Sequence, residues 1–325
     1  MKDSEFEDNR VEFTARELME SDIPEPQWIV PGFISPGLTL LAGTAKCGKS
    51  WLGLGLATSV SLGLPALGKI EVEKTGVLYL ALEDIAVRLQ NRLSTILQDK
   101  EAPDNLHIFL EWPKFNQGGL QKLDSWLTLH SYVKLVIIDV YAKIKNPTQK
   151  RNWYEQDYDD LGELKKLSKK HSIAIILIVH LNKGKDFEDP LNAITGSTGM
   201  TGAPDTLSLL RSNRQMTSGK LMIVGRDVQQ IELTLRFDSQ STSWVIEGDS
   251  EEYKISDQRI AILNLLRDKK QPMKSSEIAK ALGKKDNAIR QLLSKLHRDR
   301  DVIKPMHGLY AIPNNNNHID NNNNN

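Results

Sequence analysis

The sequence predicts an α/β fold with a mainly parallel sheet, followed by a small helical module. Three observations lead there. Short unbroken runs of β-branched and apolar residues alternate with helical segments, the pattern of strands covered on both faces. The first such run, Leu38 to Ala42, feeds a glycine-bearing loop and then a helix-like stretch from Trp51. Finally, the segment from Lys254 to Pro313 holds 14 Lys/Arg against 6 Asp/Glu, in a chain of 325 residues whose charges balance overall at 42 each. A basic module is therefore appended to an acidic body, and the length suits about two domains.

In chain order, the acidic start through Asn9 is expected to be loose and Ala15 to Ser21 to form a short helix. Pro24, Pro26, Pro31 and Pro36 favour extended backbone, and the core begins near Gly37. Trp51 to Leu67 reads as a buried helix and its exit, since glycines and a proline interrupt it and it is no candidate membrane span. Further strands are expected at Gly76 to Leu82, Asn105 to Leu110, Leu135 to Val140 and Ser172 to Val179, with a helix over Glu155 to Lys170. Ligands of such sheets gather at the carboxyl ends of the strands, so the polar residues there are the ones to weigh.

Gly43-Thr44-Ala45-Lys46-Cys47-Gly48-Lys49-Ser50 fits the P-loop pattern G-x-x-x-x-G-K-[ST], and its strand-loop-helix context is the one the pattern requires. Glycine lets the backbone curl so that N–H groups and a helix N-terminus face a phosphate. Lys49 would neutralise the β/γ oxygens, and the Ser50 hydroxyl would ligate Mg²⁺. Leu135-Val-Ile-Ile-Asp139 is an apolar strand ending in a carboxylate, the place of an acid that supports the metal. Val77 to Glu83-Asp84 is a second strand ending in acids. There Glu83 is read as the base that polarises the attacking water, with Asp84 as the competing choice. Ile173 to Val179 runs into His180, either a γ-phosphate sensor or an ordinary strand-end histidine held by backbone. The loop from Asn182 to Asp205 carries Lys183 and Lys185, which suit a phosphate backbone or simply water.

Cys47 is the single cysteine, so no internal disulfide can form. No charged-then-apolar signal peptide opens the chain, and a reducing, cytoplasmic setting is expected. The basic segment parses as helices at Asp257 to Arg267, Ser275 to Leu282 and Asp286 to Arg298, a turn at Gly283, and a two-stranded wing over Val302 to Ile312. Ile260, Ile262, Leu263, Leu266, Ile278, Leu282, Ile289, Leu292, Leu293 and Leu296 supply a three-helix core. Lys284, Lys285, Arg290, Lys295 and Arg298 would then surround a recognition helix, for DNA or, alternatively, as a solvated face of a protein-contact module. The Asn-rich end, nine of the last twelve residues, cannot build a core and is expected to be disordered.

From Phe13 to Asp238 the chain resembles RecA-like ATPases of the plasmid RepA type, relatives of the DnaB helicases. The matching pieces are Ala15-Arg-Glu-Leu, Leu41 to Ser50, Tyr79-Leu-Ala-Leu-Glu-Asp, Ile137-Ile-Asp, Val179-His, Gly196-Ser and Val224-Gly-Arg-Asp-Val228. The resemblance implies ATP and Mg²⁺ as ligands and a homo-oligomeric, hexameric ring with nucleotide at subunit junctions. It also implies single-stranded DNA in the lumen, joined by duplex DNA if the winged helix binds it. Arg226 matches the arginine that reaches the neighbour's γ-phosphate, the other reading being a salt bridge to Asp227 or another acid. Two features depart from the family: His180-Leu181 stands where His-His is frequent, and no large N-terminal domain of the DnaB kind precedes the core. The expected division is an N-terminal extension over 1–30, a RecA-like ATPase domain over 31–248, a winged helix-turn-helix over 249–313 and a disordered tail over 314–325. The expected function is an ATP-hydrolysing motor on DNA, a RepA-type helicase of a plasmid or mobile element. The alternative is an ATP-switched DNA-binding regulator or loader.

Overall fold

Six apolar runs become six parallel strands: β1 (Gly37–Gly43), β2 (Gly76–Ala81), β3 (Leu106–Phe109), β4 (Val133–Asp139), β5 (Ala174–His180) and β6 (Thr206–Ser212). They are seen in a computed structural model that describes residues 12–21, 27–146, 153–181, 202–213, 215–226, 228, 230–247, 261–298, 301–306 and 308–313. Three antiparallel strands, β7 (Ser218–Gly225), β8 (Ile231–Asp238) and β9 (Ser243–Ile246), extend the sheet to the order β3-β2-β4-β5-β1-β6-β7-β8-β9. The mainly parallel α/β sheet read from the sequence is present, and the antiparallel third is an addition to it.

Successive residues of one strand point to opposite faces, and here both faces are covered. Leu41, Val77, Tyr79, Leu135, Ile137, Ile176 and Ile178 join one cluster with Leu52, Leu54, Leu56 and Val60 of α2 (Lys49–Leu62) and Leu89 of α3 (Ala86–Leu97). Their strand neighbours Leu40, Leu78, Leu80, Val136, Ile138, Ile175 and Leu177 join the other, with Leu123 and Leu127 of α4 (Gly119–Leu129) and Leu161 and Leu164 of α5 (Trp153–His171). This double burial is why the strands read as unbroken apolar runs, and truncating a residue such as the fully buried Ile137 to alanine would cost about 2–5 kcal/mol. On the second face Lys170 and His171 of α5 both contact Asp124 of α4, and those hydrogen bonds hold the Asp124 carboxyl below its usual range.

The short helix near the N-terminus is α1 (Ala15–Glu20), opened by a capping box in which Glu17 N–H donates to Thr14 Oγ1 and Thr14 N–H to Glu17 Oε2. None of its residues is buried. Pro31 departs from expectation: it lies in a tight turn across which Val30 and Ile34 pair, not in an extended segment. The expected loose N-terminus, Pro24, Pro26 and the Asn-rich tail lie outside the described residues.

The basic segment folds as expected. A helix over 261–269 (α6), β10 (Met273–Lys274), α7 (Ser275–Ala281), α8 (Asp286–Arg298), β11 (Ile303–Met306) and β12 (Leu309–Ala311) form a winged helix whose small sheet runs β10-β12-β11. Ile262, Leu263, Leu266, Ile278, Ile289, Leu292, Leu293 and Leu296 make its core, with Leu282 partly buried against it. The wing contributes Val302 and Tyr310, and β10 contributes Met273. Ile260 lies outside the described residues. Among the described residues no helix is long and apolar enough to cross a membrane.

Candidate nucleotide site

The strand order sets the site. In the parallel sheet β4 lies between β2 and β5, and β5 lies beside β1, so the carboxyl ends of these four strands form one edge. Along it stand Glu83 just past β2, Asp139 ending β4, His180 ending β5 and the Gly43–Ser50 loop leaving β1. His180 pairs in register with Gly43, and the Leu181 N–H donates to the Gly43 carbonyl at 3.1 Å.

Two loop glycines are required by their surroundings. A Cβ at Gly43 would stand 2.7 Å from both Cys47 Sγ and the Leu210 carbonyl oxygen. Gly48 caps α2 with φ 91° and ψ 17°, a left-handed conformation costly for other residues, and a Cβ there would lie 2.7 Å from Trp244 Nε1. Thr44, Ala45 and Lys46 are exposed at the tip, while Cys47, Gly48 and Lys49 are buried. The first-turn N–H groups of α2 have no intrahelical acceptor and carry the positive end of the helix dipole. Into the same cradle Lys49 projects its ammonium, donating to the carbonyls of Gly43 at 2.8 Å and Thr44 at 2.7 Å. Burial lowers the Lys49 pKa, and the neighbouring Cys47 and Asp139 oppose that shift. The combination of helix N-terminus and lysine suits a polyphosphate.

Asp139 is buried at the end of its strand. Tyr79 donates its hydroxyl to Asp139 Oδ2 at 2.8 Å, whereas Oδ1 is buried and finds no partner. Burial raises the Asp139 pKa, against the easing effect of the Ser50 and Tyr79 hydroxyls. Burial and the same carboxylate push the Tyr79 phenol up, so that it remains a donor. An unpartnered carboxylate oxygen beside a serine hydroxyl is the donor set a hard divalent cation takes, so the residues fit Mg²⁺.

Glu83 and Asp84 differ sharply in their surroundings. Asp84 is taken up by Arg92 at 2.6 Å and Arg88 at 3.1 Å, and accepts from the Ile85 N–H at 3.0 Å. Glu83 is half exposed between Lys143 and His180, with Lys143 Nζ 3.8 Å from Oε1 and His180 Nε2 3.7 Å from Oε2. Glu83 is thus the acid left available at the edge.

Arg226 is not at this edge. Strand β6 runs parallel to β1 with Thr206 opposite Thr39, and β7 returns antiparallel with Gly225 opposite Thr206. The residue following Gly225 therefore emerges at the amino end of β1, the far side of the sheet from Lys49 of the same chain. Arg226 is exposed there, its side chain reaching the Gly202 carbonyl at 3.5 Å. The Val224–Val228 piece is strand only through Gly225, and Asp227 lies outside the described residues.

Of the DNA-contact candidates, Lys183 and Lys185 lie outside the described residues, as does most of their loop and the Gly196-Ser piece. In the winged helix Lys284 and Lys285 are exposed at the start of α8. Arg290 is exposed but pairs with Asp286 at 2.6 Å and donates to Ser275 Oγ at 3.3 Å. Lys295 and Arg298 belong to α8.

Three residues escaped sequence reasoning. Trp244, from β9, packs its indole on the loop and donates Nε1–H to the Gly48 carbonyl at 3.1 Å. Tyr79 reads from the sequence only as strand, yet it serves Asp139. Arg92 both grips Asp84 and lies 4.9 Å above the Trp51 ring. Only Arg92 left a signal, as a cation eight residues after an acid on a helix, and it is a weak one.

A mainly parallel sheet with a glycine loop, two strand-end acids and a histidine on one edge defines a RecA-like ATPase core. A family model of the AAA domain, of the AAA_25 type, matches residues 3–186, and the chain belongs to that family. A second model, that of the arsR family of bacterial regulatory proteins, matches residues 256–302 and agrees with the winged helix. Among solved structures, one described as an ATPase domain superposes with a TM-score of 0.55 at 16% identity, over 72% of this chain and 96% of that one. A DnaB-like replicative helicase, described together with its interactions with primase, gives a TM-score of 0.54 at 16% identity, over 72% of this chain and 66% of that one. At such identity the likeness is one of fold. No curated protein sequence gives a significant match.

Proposed function

We propose that this protein is a Mg²⁺-dependent ATPase that works on DNA as a RecA-like ring motor, a RepA-type replicative helicase of a plasmid or mobile element acting in the cytoplasm. The observation that carries the reading is the gathering, on one sheet edge, of a buried lysine in a helix N-terminal cradle, a buried carboxylate with an unpartnered oxygen, and a half-exposed glutamate. In this reading Lys49 and the amides of Gly43 through Ser50 hold the β- and γ-phosphates, and Ser50 and Asp139 hold the metal. Bound Mg²⁺ supplies neutralisation of charge on the phosphate oxygens. Glu83 takes a proton from water as its oxygen attacks the γ-phosphorus and the bond to the β–γ bridging oxygen breaks, while His180 senses the phosphate. Asp84, occupied by two arginines, holds the turn.

Arg226 is assigned to the neighbouring subunit's nucleotide. The far-edge placement supports this, because an arginine on the opposite side of the sheet from its own Lys49 acts only in trans, where a guanidinium stabilises transition-state charge. Lys183, Lys185, Lys284, Lys285, Arg290, Lys295 and Arg298 are assigned to DNA, single-stranded in the lumen of a hexamer and duplex at the winged helix. We also propose the division into 1–30, 31–248, 249–313 and 314–325, supported by a winged-helix core drawn wholly from residues 262–312.

The test is ATP turnover of the full chain with and without single-stranded DNA, with Lys49→Ala as the blank and the mass in MgATP recorded. Strong stimulation, a ring-sized mass and a Glu83→Gln variant that binds MgATP without turnover are expected. Normal turnover by Glu83→Gln would remove the assigned base. One observation favours a second reading: the likeness of residues 256–302 to bacterial regulators fits an ATP-switched DNA-binding regulator or loader. Slow turnover indifferent to single strands, with ATP-dependent duplex binding, would select it.

A further inference from the structure

Lys143 belongs to no part of the mechanism above, yet it is one of two side chains that flank the assigned base, the other being His180. It ends a single 3-10 turn, Tyr141–Lys143, that begins two residues after Asp139. That turn is anchored from below. The buried Tyr141 hydroxyl lies 3.3 Å from Asp157 and 3.4 Å from Asp160, Lys145 pairs with Asp157 at 3.1 Å, and the Asn146 side-chain amide donates to Asp160 at 2.7 Å. The Lys143 N–H donates to the Val140 carbonyl at 3.1 Å. Lys143 therefore has a fixed backbone under a half-exposed side chain.

From that base its ammonium faces Glu83, not Asp84, which Arg88 and Arg92 have claimed. The two Glu83 oxygens each look at a different side chain, the Lys143 ammonium on one side and the His180 imidazole on the other. At 3.8 Å and 3.7 Å neither contact is a hydrogen bond, and half-exposed pairs of this kind contribute at most about 1 kcal/mol to stability. A contact too weak to matter for folding can still decide direction. A half-exposed glutamate has three free torsions, and a carboxylate held between the Lys143 ammonium and the His180 imidazole is confined to the few rotamers that satisfy both.

We propose that Lys143 is a positioning residue of the hydrolytic step, aiming the Glu83 carboxylate across the site by holding the oxygen that His180 does not. The proposal rests on Glu83 being the base. Lys143 acts through Glu83 and gives nothing to nucleotide affinity, since a base displaced by about 1 Å loses rate rather than binding.

The experiment compares Lys143→Gln, Lys143→Arg, Glu83→Gln and the Glu83→Gln/Lys143→Gln pair in the full chain. Steady-state ATP turnover and equilibrium binding of MgATP to the two Glu83→Gln proteins are the readouts. Lys143→Gln should lower kcat on the order of ten-fold, about 1.4 kcal/mol in barrier, with KM within about two-fold, and Lys143→Arg should keep at least about half of kcat. MgATP affinity should be the same in Glu83→Gln with and without the second change. Unchanged kcat in Lys143→Gln beside an inactive Glu83→Gln overturns the role of Lys143 alone. A ten-fold loss of MgATP affinity in the double variant also overturns it, making Lys143 a phosphate ligand. Normal turnover by Glu83→Gln removes the base and with it the proposal.

Discussion

Replacing Gly48 by alanine should destabilise the core by about 3–6 kcal/mol, and the structure divides that sum. The left-handed backbone at φ 91° costs an L-residue about 1–2 kcal/mol. The new Cβ would stand 2.7, 2.9 and 3.1 Å from Trp244 Nε1, Cζ2 and Cε2, below van der Waals contact. The indole cannot easily retreat: it is 2% exposed and meets Phe237 edge-on with centroids 5.2 Å apart. Moving it sacrifices the hydrogen bond to the Gly48 carbonyl, about 1 kcal/mol, and repacking adds about 1–3 kcal/mol. Gly48 O keeps the Leu52 N–H at 2.9 Å, so no buried carbonyl is orphaned. In a Trp244→Phe background the clash largely vanishes and only the backbone cost remains, about 1–2 kcal/mol, giving a coupling of about 2–4 kcal/mol between the two positions. Urea unfolding followed by tryptophan emission measures this selectively, because all six indoles lie between residues 28 and 244 and none reports on the winged helix. Additivity within about 0.5 kcal/mol would refute the argument that the indole is what excludes a side chain at Gly48.

Further predictions concern charge and assembly. The folded Asp139 carboxyl titrates above its unfolded value because it is buried, so stability from this group is present below the unfolded pKa near 3.9 and lost as pH rises through the folded one. Asp139→Asn should accordingly stabilise the nucleotide-free protein at pH 7, with the gain fading toward pH 4 and the stabilising response to Mg²⁺ abolished; thermal melts across pH check both. Arg226→Ala should be inactive alone but recover turnover when mixed with Lys49→Ala, since each supplies what the other lacks in trans; no recovery would place the arginine outside the site. Leu293→Ala, in the winged-helix core, should cost that module about 2–5 kcal/mol and abolish duplex binding in a gel-shift assay while leaving DNA-independent ATP turnover unchanged.

The sequence was legible where burial is two-sided. Strands β1, β2, β4 and β5 announce themselves because both of their faces are covered, and the polar residues that close β2, β4 and β5 mark the edge where ligands of such sheets gather. The antiparallel part was harder to read. In β8 Ile231, Leu233, Leu235 and Phe237 pack on the core while Glu232, Thr234 and Arg236 face out, and such alternation over eight residues is easily taken for loop. Choosing Glu83 over Asp84 needs side-chain geometry, namely where Arg88 and Arg92 reach. The contact of Trp244 with Gly48 joins residues 196 apart, and nothing local to either position encodes it. In the winged helix the three helices were plain from their apolar spacing, whereas the core roles of Met273, Val302 and Tyr310 depend on how the wing folds back.

During synthesis that distant contact forms late. When the first 180 residues have left the ribosome, five parallel strands and Lys49, Glu83, Asp139 and His180 are all in hand, but β1 is still a bare margin of the sheet and the indole that seats Gly48 has not been made. The Gly43–Ser50 loop gains its contact with Trp244 only after β6 to β9 have been added, some sixty residues later. A truncated or nascent chain carries the site residues without the brace, and the finished geometry is reserved for a polypeptide that has completed the last hairpin of the nine-stranded sheet.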